Sequence, residues 1–138
     1  MSRMNQREET MLMIRESSDK FIGGQVLCTA PNRGAVHLFC GQLAKVDVAG
    51  DELHIHFVWF ARRVERGAKK VWVVDDGHGQ GLKPKIIKSQ DISDVLMNAS
   101  SLLIRSSRTE ETLTLYLPDG SMLVEPAEVE GLRTMLYQ

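Results

Sequence analysis

Residues 36–64 read VHLFCGQLAKVDVAGDELHIHFVWFARRV, and this stretch decides the fold. On both sides of Gly50–Asp51, apolar and polar residues alternate with the period of two that is typical of β-strands. A glycine followed by an aspartate suits a two-residue type II′ turn, whose twist matches that of the strands it joins. We therefore predict a long antiparallel hairpin.

The hydrophobic pattern also predicts which residues pair across this hairpin. Pairing Ala49 with Glu52 places Val46 opposite Ile55, and the buried residues of both strands then share one face. A shift of one residue would instead place Val46 beside His54. The other predicted pairs are Val48 with Leu53, Lys45 with His56, Asp47 with His54, Ala44 with Phe57, Leu43 with Val58, Gly41 with Phe60 and Cys40 with Ala61.

Four large apolar residues interrupt the alternation and fall on the nominally polar face, namely Phe39, Leu43, Val58 and Phe60. An apolar patch of this kind is covered by a helix, by a second subunit or by a ligand. The patch is the best indication of a partner in this sequence. Together with Arg62 and Trp72, these four residues form the predicted ligand-binding or partner-binding set.

Strand and helix patterns continue on both sides of the hairpin. We predict helices over residues 5–18 and from Pro126 onward, a hairpin turn at Pro118–Ser121, and strands at residues 25–30, 71–74, 86–87, 102–104 and 113–117. Short turns between most of the strands favour antiparallel pairing. The predicted fold is α+β, with a strongly curved antiparallel sheet or small β-barrel of about six to eight strands and helices at both termini.

Composition sets the class of protein. The chain has 138 residues, 43% hydrophobic and 25% charged, which is ordinary for one globular domain over residues 1–138. It has no apolar run of the about 20 residues that a transmembrane helix needs, and no signal-peptide core at its N-terminus. We expect a cytoplasmic protein with no membrane partner, in which Cys28 and Cys40 are buried reduced thiols.

Two groups of side chains suggest an enzyme or a metal-binding protein. His54 and His56 lie two apart on a predicted strand and point to one face, where Asp47 lies opposite His54. The glycine-rich loop Asp75–Gly81 contains Asp75, Asp76 and His78, which supply carboxylates and a base. Solvent-facing histidines and an ordinary glycine-rich loop are the alternative interpretations of the two groups.

The charge distribution raises a third hypothesis. Residues 62–88 contain eight basic and three acidic residues, a net charge of +5, although the whole chain has a net charge of −1. The residues in or next to this region with the basic and aromatic character of nucleic-acid-binding barrels are Trp59, Phe60, Arg62, Arg63, Lys70 and Trp72. The overall pI of about 6.4 disfavours that function, and a solvated basic face is the simpler interpretation.

No set of residues in this chain resembles a complete catalytic arrangement. We therefore expect a non-enzymatic binding or interaction module that forms a homodimer and has a small-molecule pocket in its curved sheet, without a cofactor. The first alternative is an enzyme or metal-binding protein that uses the Asp75–Gly81 loop or the Asp47, His54 and His56 group. The second alternative is nucleic-acid binding through residues 62–88.

Overall fold

The computed structural model describes residues 6–30, 36–75, 82–119 and 124–133. Within these residues, helix α1 is followed by nine strands and three short 3-10 turns. The elements are α1 (Gln6–Ser17), β1 (Gln25–Ala30), β2 (Val36–Ala49), β3 (Glu52–Arg66), β4 (Lys69–Val74), β5 (Lys85–Lys88), β6 (Ile92–Met97), β7 (Ser101–Ser106), β8 (Glu111–Tyr116) and β9 (Val129–Glu130), with 3-10 turns at Ser18–Phe21, Ser89–Asp91 and Pro126–Glu128. No helix in these residues is long and apolar enough to cross a membrane.

All nine strands belong to one sheet, in the order β6-β7-β8-β1-β2-β3-β4-β9, with β5 paired to the first residues of β3. Every pair is antiparallel except β4 with β9. The sheet curves strongly, since Lys85 on β5 forms an ion pair of 3.1 Å with Glu111 on β8, although β3, β2 and β1 separate the two strands. The predicted α+β class and curved antiparallel sheet are confirmed. The barrel alternative is wrong, because the sheet is not closed, and the sheet is larger than expected.

The hairpin β2–β3 has the predicted register at both of its ends. Val46 pairs with Ile55 near the turn, and Gly41 pairs with Phe60 at the far end. Gly50 has a φ of 63°, as the first position of a type II′ turn requires. The sequence pattern was therefore sufficient to align the two strands.

The middle of the hairpin differs from the prediction. Leu43 pairs with Phe57, so that Ala44 and Val58 are each left out of the register. The predicted pairs of Leu43 with Val58 and of Ala44 with Phe57 are wrong. One extra residue on each strand forms a pair of compensating β-bulges, which preserve the pairing on either side.

These bulges change which face of the hairpin is buried in the main core. Between the bulges and the turn, Val46 and Ile55 lie in that core. On the other side of the bulges the main core receives Phe39 and Leu43, whereas Trp59 joins a second apolar cluster on the opposite face of the sheet. The expectation that the whole hairpin buries a single face is therefore wrong.

Each of the two apolar faces has its own cover. Helix α1 and the 3-10 turn after it place Met11, Ile14 and Phe21 over the main core. The second cluster consists of Cys40, Trp59, Ala61, Trp72, Val124, Val129 and Leu132. The chain thus covers the main core with its N-terminal helix and the second cluster with residues 124–132.

The predicted C-terminal helix does not begin at Pro126, and the prediction is wrong over residues 126–131. Pro126–Glu128 forms a 3-10 turn, and Val129–Glu130 then pairs with β4 as a strand. The edge of β4 offers hydrogen bonds to this segment, and Gly131 follows with a φ of 84°, which an α-helix does not contain. The apolar spacing that suggested a helical stripe instead places Val129 and Leu132 in the second cluster.

The strand pairing predicted across the Pro118–Ser121 turn is also wrong, and Gly120 and Ser121 themselves lie outside the described residues. It would have paired Leu115 with Val124, but Leu115 already pairs with Leu102 on one side and with Val26 on the other. The backbone of Val124 instead binds the side-chain amide of Gln25, through hydrogen bonds of 2.6 Å and 3.1 Å. β8 is therefore an interior strand, and the chain leaves it to cross to the second cluster.

Because of the bulges, we expect substitutions of Leu43 and Val58 to change the stability of the protein by very different amounts, although regular pairing would place these two residues side by side. The side chain of Leu43 is 0% exposed, whereas that of Val58 is 48% exposed. Leu43→Ala is expected to lower the free energy of unfolding by about 2–5 kcal/mol, since it leaves a cavity in the core. Val58→Ala, the matched control, is expected to change it by about 0.5 kcal/mol. Urea unfolding measures both, and equal losses would contradict the bulged pairing.

Candidate ligand-binding site

Three phenylalanine rings meet on the main-core face of the hairpin. Phe39 lies edge-on to Phe57, with 5.9 Å between the ring centroids. Phe60 completes the group at 4.8 Å from Phe39 and 5.2 Å from Phe57. Phe39 and Phe57 are buried, and Phe60 is partly exposed. This phenylalanine cluster therefore presents an aromatic surface at the boundary between core and solvent.

The bulge at Val58 is the reason that this cluster exists. Phe57 and Phe60 are three residues apart, so in a regular strand their side chains would point to opposite faces. The additional residue brings both rings to the main-core face. Gly41 leaves room beside them, because a Cβ atom there would lie 2.9 Å from the ring of Phe57 and 2.6 Å from the carbonyl oxygen of Trp59.

A solvent-open groove of about 240 Å³ runs along the cluster. Its apolar surface comes from two of the three rings and from Leu82 and Pro84, and its charged rim comes from four side chains. The lining residues are Phe57, Phe60, Arg62, Asp75, Leu82, Lys83, Pro84 and Lys85. The volume is slightly below the about 300–1,000 Å³ of drug-sized ligand sites, so the groove suits a small molecule with a single ring system.

Cationic side chains dominate the rim of this groove. The guanidinium of Arg62 lies 5.4 Å from the ring centroid of Phe60 and donates a hydrogen bond of 2.7 Å to Asp75. Lys85 lies 5.9 Å from the ring centroid of Phe39 and pairs with Glu111. Lys83 is exposed and forms no ion pair with a described residue. The rim therefore retains a positive charge next to the aromatic surface.

The predicted binding set does not form one surface. Phe39 and Phe60 belong to the phenylalanine cluster, and Arg62 lies beside Phe60. Leu43 is buried in the main core, and Val58 is exposed away from it. The patch is thus covered largely by the chain itself, and a homodimer would need a different surface.

Some groove residues were not singled out from the sequence. Phe57 was assigned to the core because the bulge was not foreseen. Lys83 and Lys85 were counted in the basic region, but their position depends on β5 pairing with the turn end of β3, which is a long-range contact. The segment Lys83-Pro84-Lys85 is the part of the sequence that could have indicated these groove residues, since its proline marks the start of a strand and lies between two cations.

Trp72 lies on the other side of the sheet. It is 3% exposed in the second apolar cluster, and its ring is 4.8 Å from the guanidinium of Arg63, its neighbour across β3 and β4. Trp59 is buried in the same cluster. Neither indole is available to stack on a nucleic-acid base, so Phe60, which is partly exposed, is the one ring of the predicted aromatic set that is accessible. The basic part of that hypothesis stays a prediction.

The histidine group near the hairpin turn is divided between two carboxylates. His56 lies 3.3 Å from Asp47, and His54 lies 3.2 Å from Glu52. Asp47 also contacts Lys45 at 3.3 Å, and a neighbouring ammonium disfavours a bound cation. Within residues 6–30, 36–75, 82–119 and 124–133, no group of three His, Cys, Asp or Glu side chains is arranged to hold a metal ion.

Of the glycine-rich loop Asp75–Gly81, the structure describes only Asp75. Asp75 accepts a hydrogen bond from Arg62, and its backbone N–H donates a hydrogen bond of 2.8 Å to the carbonyl oxygen of Phe60. Asp76 and His78 lie outside the described residues, so the predicted catalytic set stays a hypothesis. Asp75 and Leu82, the residue that follows the loop, both line the groove.

The two cysteines have little nucleophilic character. Burial is the main cause that raises the pKa of each thiol, Cys28 and Cys40, to about 12, so that both are protonated at neutral pH. Each is a free thiol in the interior, in agreement with the prediction of buried reduced cysteines. Neither is suited to attack a substrate.

Comparison with known proteins does not assign this chain to a family. No family model, no curated protein and no solved structure matches it significantly.

Asp47 gives the hairpin a pH-dependent contribution to stability. The hydrogen bond and charge of Lys45 are the main causes that hold the pKa of Asp47 below its ordinary value of 3.8. Because the folded state favours the ionised carboxylate, Asp47 stabilises the fold above pH 3.8. This stabilisation is lost as the pH falls through the lowered pKa that Asp47 has in the folded state. Urea unfolding of Asp47→Asn should therefore differ from the unmodified chain most at neutral pH, and progressively less below pH 3.8.

The matched control is Asp51→Asn, since Asp51 lies on the same hairpin and forms no ion pair with a described residue. If the difference in unfolding free energy between the unmodified chain and Asp47→Asn stays constant down to the lowest pH, Lys45 does not stabilise the Asp47 carboxylate in the folded state.

Proposed function

We propose that this chain is a non-enzymatic binding module that holds a small planar anion in the groove beside Phe60. The observation that carries the proposal is the combination of a partly exposed aromatic ring with Arg62, Lys83 and Lys85 at the rim of one groove. An aromatic face binds a flat ring by stacking, and neighbouring cations bind a carboxylate or phosphate. A mononucleotide has both features.

The flanking charges support an anion over a neutral ligand. Asp75 and Glu111 are already engaged by Arg62 and Lys85. Lys83 forms no such pair with a described residue, and it is exposed at the rim where an anionic group would lie. An anionic ligand would add a partner for Lys83 and a second one for Arg62, whereas a cationic ligand would meet like charges.

We favour binding over catalysis because the described residues of the groove include no nucleophile and no general base that is free to accept a proton. Its titratable lining groups are one arginine, two lysines and one aspartate that is bound to the arginine. The buried thiols of Cys28 and Cys40 do not line the groove. These groups position and neutralise a ligand, and they do not form an acid–base pair for catalysis.

Isothermal titration calorimetry with adenosine 5′-monophosphate, adenosine and inorganic phosphate tests the proposal. The nucleotide is expected to bind more tightly than adenosine or phosphate, since only the nucleotide engages both the ring and the cations. Added salt should weaken its binding, because cations and phosphate attract each other less when screened. Absence of binding by all three probes would contradict the proposal for nucleotide-like anions.

Two substitutions separate the contributions of the groove. Phe60→Ala should weaken nucleotide binding by about tenfold, because aromatic stacking contributes about 1–3 kcal/mol per base. Lys83→Ala should weaken it and reduce its dependence on salt. Lys88→Ala is the matched control, since Lys88 is an exposed lysine that does not line the groove.

An oligonucleotide arm distinguishes the proposal from nucleic-acid binding. If a single-stranded oligonucleotide binds far more tightly than the mononucleotide and Phe60→Ala leaves that binding unchanged, the basic region binds nucleic acid and the groove is not the site. If the mononucleotide binds as tightly as the oligonucleotide, the groove accounts for recognition.

A further inference from the structure

Strand β6 forms one edge of the sheet. It pairs with β7 on one side, and on its other side no strand lies against it among the residues that the structure describes. Helix α1 and residues 92–95 of β6 line a groove of about 450 Å³ that separates them, and Leu96 and Met97 lie outside this groove. The outer N–H and C=O groups of β6 are therefore available for pairing with another strand.

Two large apolar side chains are exposed on this edge. Leu96 is 52% exposed and Met97 is 50% exposed, more than any other large apolar residue that the structure describes. They are adjacent in a strand and so lie on opposite faces of it. Leu96 pairs with the partly exposed Leu103 on β7, which extends the apolar surface across two strands.

The edge formed by β5 shows how this protein protects a strand when pairing is unwanted. Pro84 precedes β5, which begins and ends with Lys85 and Lys88, and lysine and proline both discourage strand addition. β6 contains no lysine, arginine or proline. Its single charged residue, Asp94, is neutralised by Arg105 at 3.6 Å. The part of β6 after its irregularity at Ser93, from Asp94 to Met97, thus lacks the lysines and proline that protect β5.

We propose that β6 is a homodimer interface, at which a second copy of the chain adds its own β6 in antiparallel orientation about Leu96. A second copy fits this edge because β6 is complementary to itself. With Leu96 on the two-fold axis, Val95 of one copy lies opposite Met97 of the other, and Asp94 lies opposite the uncharged Asn98, which follows β6 in the turn to β7. No like charges face each other, and an apolar edge meets an identical one.

The dimer joins the two sheets into one continuous sheet and covers Leu96 and Met97. It does not involve the groove beside Phe60, which β3 and residues 82–85 form away from β6. A test of the interface is therefore independent of a test of the proposed ligand.

Sedimentation velocity across a range of protein concentrations tests the interface. The unmodified chain is expected to sediment as a dimer with twice the mass of the chain, and Leu96→Lys as a monomer, since the substitution places two ammonium groups together at the axis. Ile86→Lys is the matched control, because Ile86 is comparably exposed on β5, and it should stay dimeric. A monomeric unmodified chain up to its solubility limit would overturn the proposal, as would a dimer that survives Leu96→Lys.

Disulfide trapping gives a second measurement that does not depend on disrupting the dimer. Leu96→Cys should form a covalent dimer on mild oxidation with diamide, because residues paired on the axis of antiparallel strands lie within disulfide distance. Cys28 and Cys40 are buried and should not compete. Val58→Cys is the control, being exposed on the sheet but distant from β6 in strand order. Cross-linking of Val58→Cys but not of Leu96→Cys would contradict the proposed axis.

Discussion

The paired bulges at Ala44 and Val58 are the constraint on which the rest of this structure depends. Each adds one residue to its strand, so the register before and after them is the same, but the side chains beyond them point to the opposite faces. The hairpin consequently contributes Leu43 and Phe57 to one apolar face and Trp59 to the other. A single pair of strands thereby supports two separate apolar clusters.

Two clusters require two covers, and this requirement explains the roles of the chain ends. Helix α1 covers the main core, and residues 124–132 cover the second cluster. The same bulges bring Phe57 and Phe60 to one face beside Gly41, where cations from β3 and from residues 83–85 surround the rings. The proposed ligand groove is thus a consequence of the irregular pairing.

Local patterns in the sequence were sufficient for much of the fold, but contacts between distant residues were not. Alternation aligned Val46 with Ile55, and the apolar residues that broke it, such as Leu43, were the trace of a bulge that was interpreted as a partner surface. The strand at Val129 forms because β4 has a free edge, and no local pattern reveals that edge. The groove escaped prediction for the same reason, since Lys85 reaches it only when β5 pairs with β3.

The whole arrangement depends on the pairing of Leu43 with Phe57, which leaves Ala44 and Val58 out of the register. Nuclear Overhauser spectroscopy of the isotopically labelled chain measures this directly, because backbone protons of paired residues in antiparallel strands are close in space. The bulged pairing predicts cross-strand contacts from Leu43 to Phe57, together with contacts from Lys45 to His56. Backbone contacts that pair Leu43 with Val58 and Ala44 with Phe57 would show a regular hairpin and contradict the account.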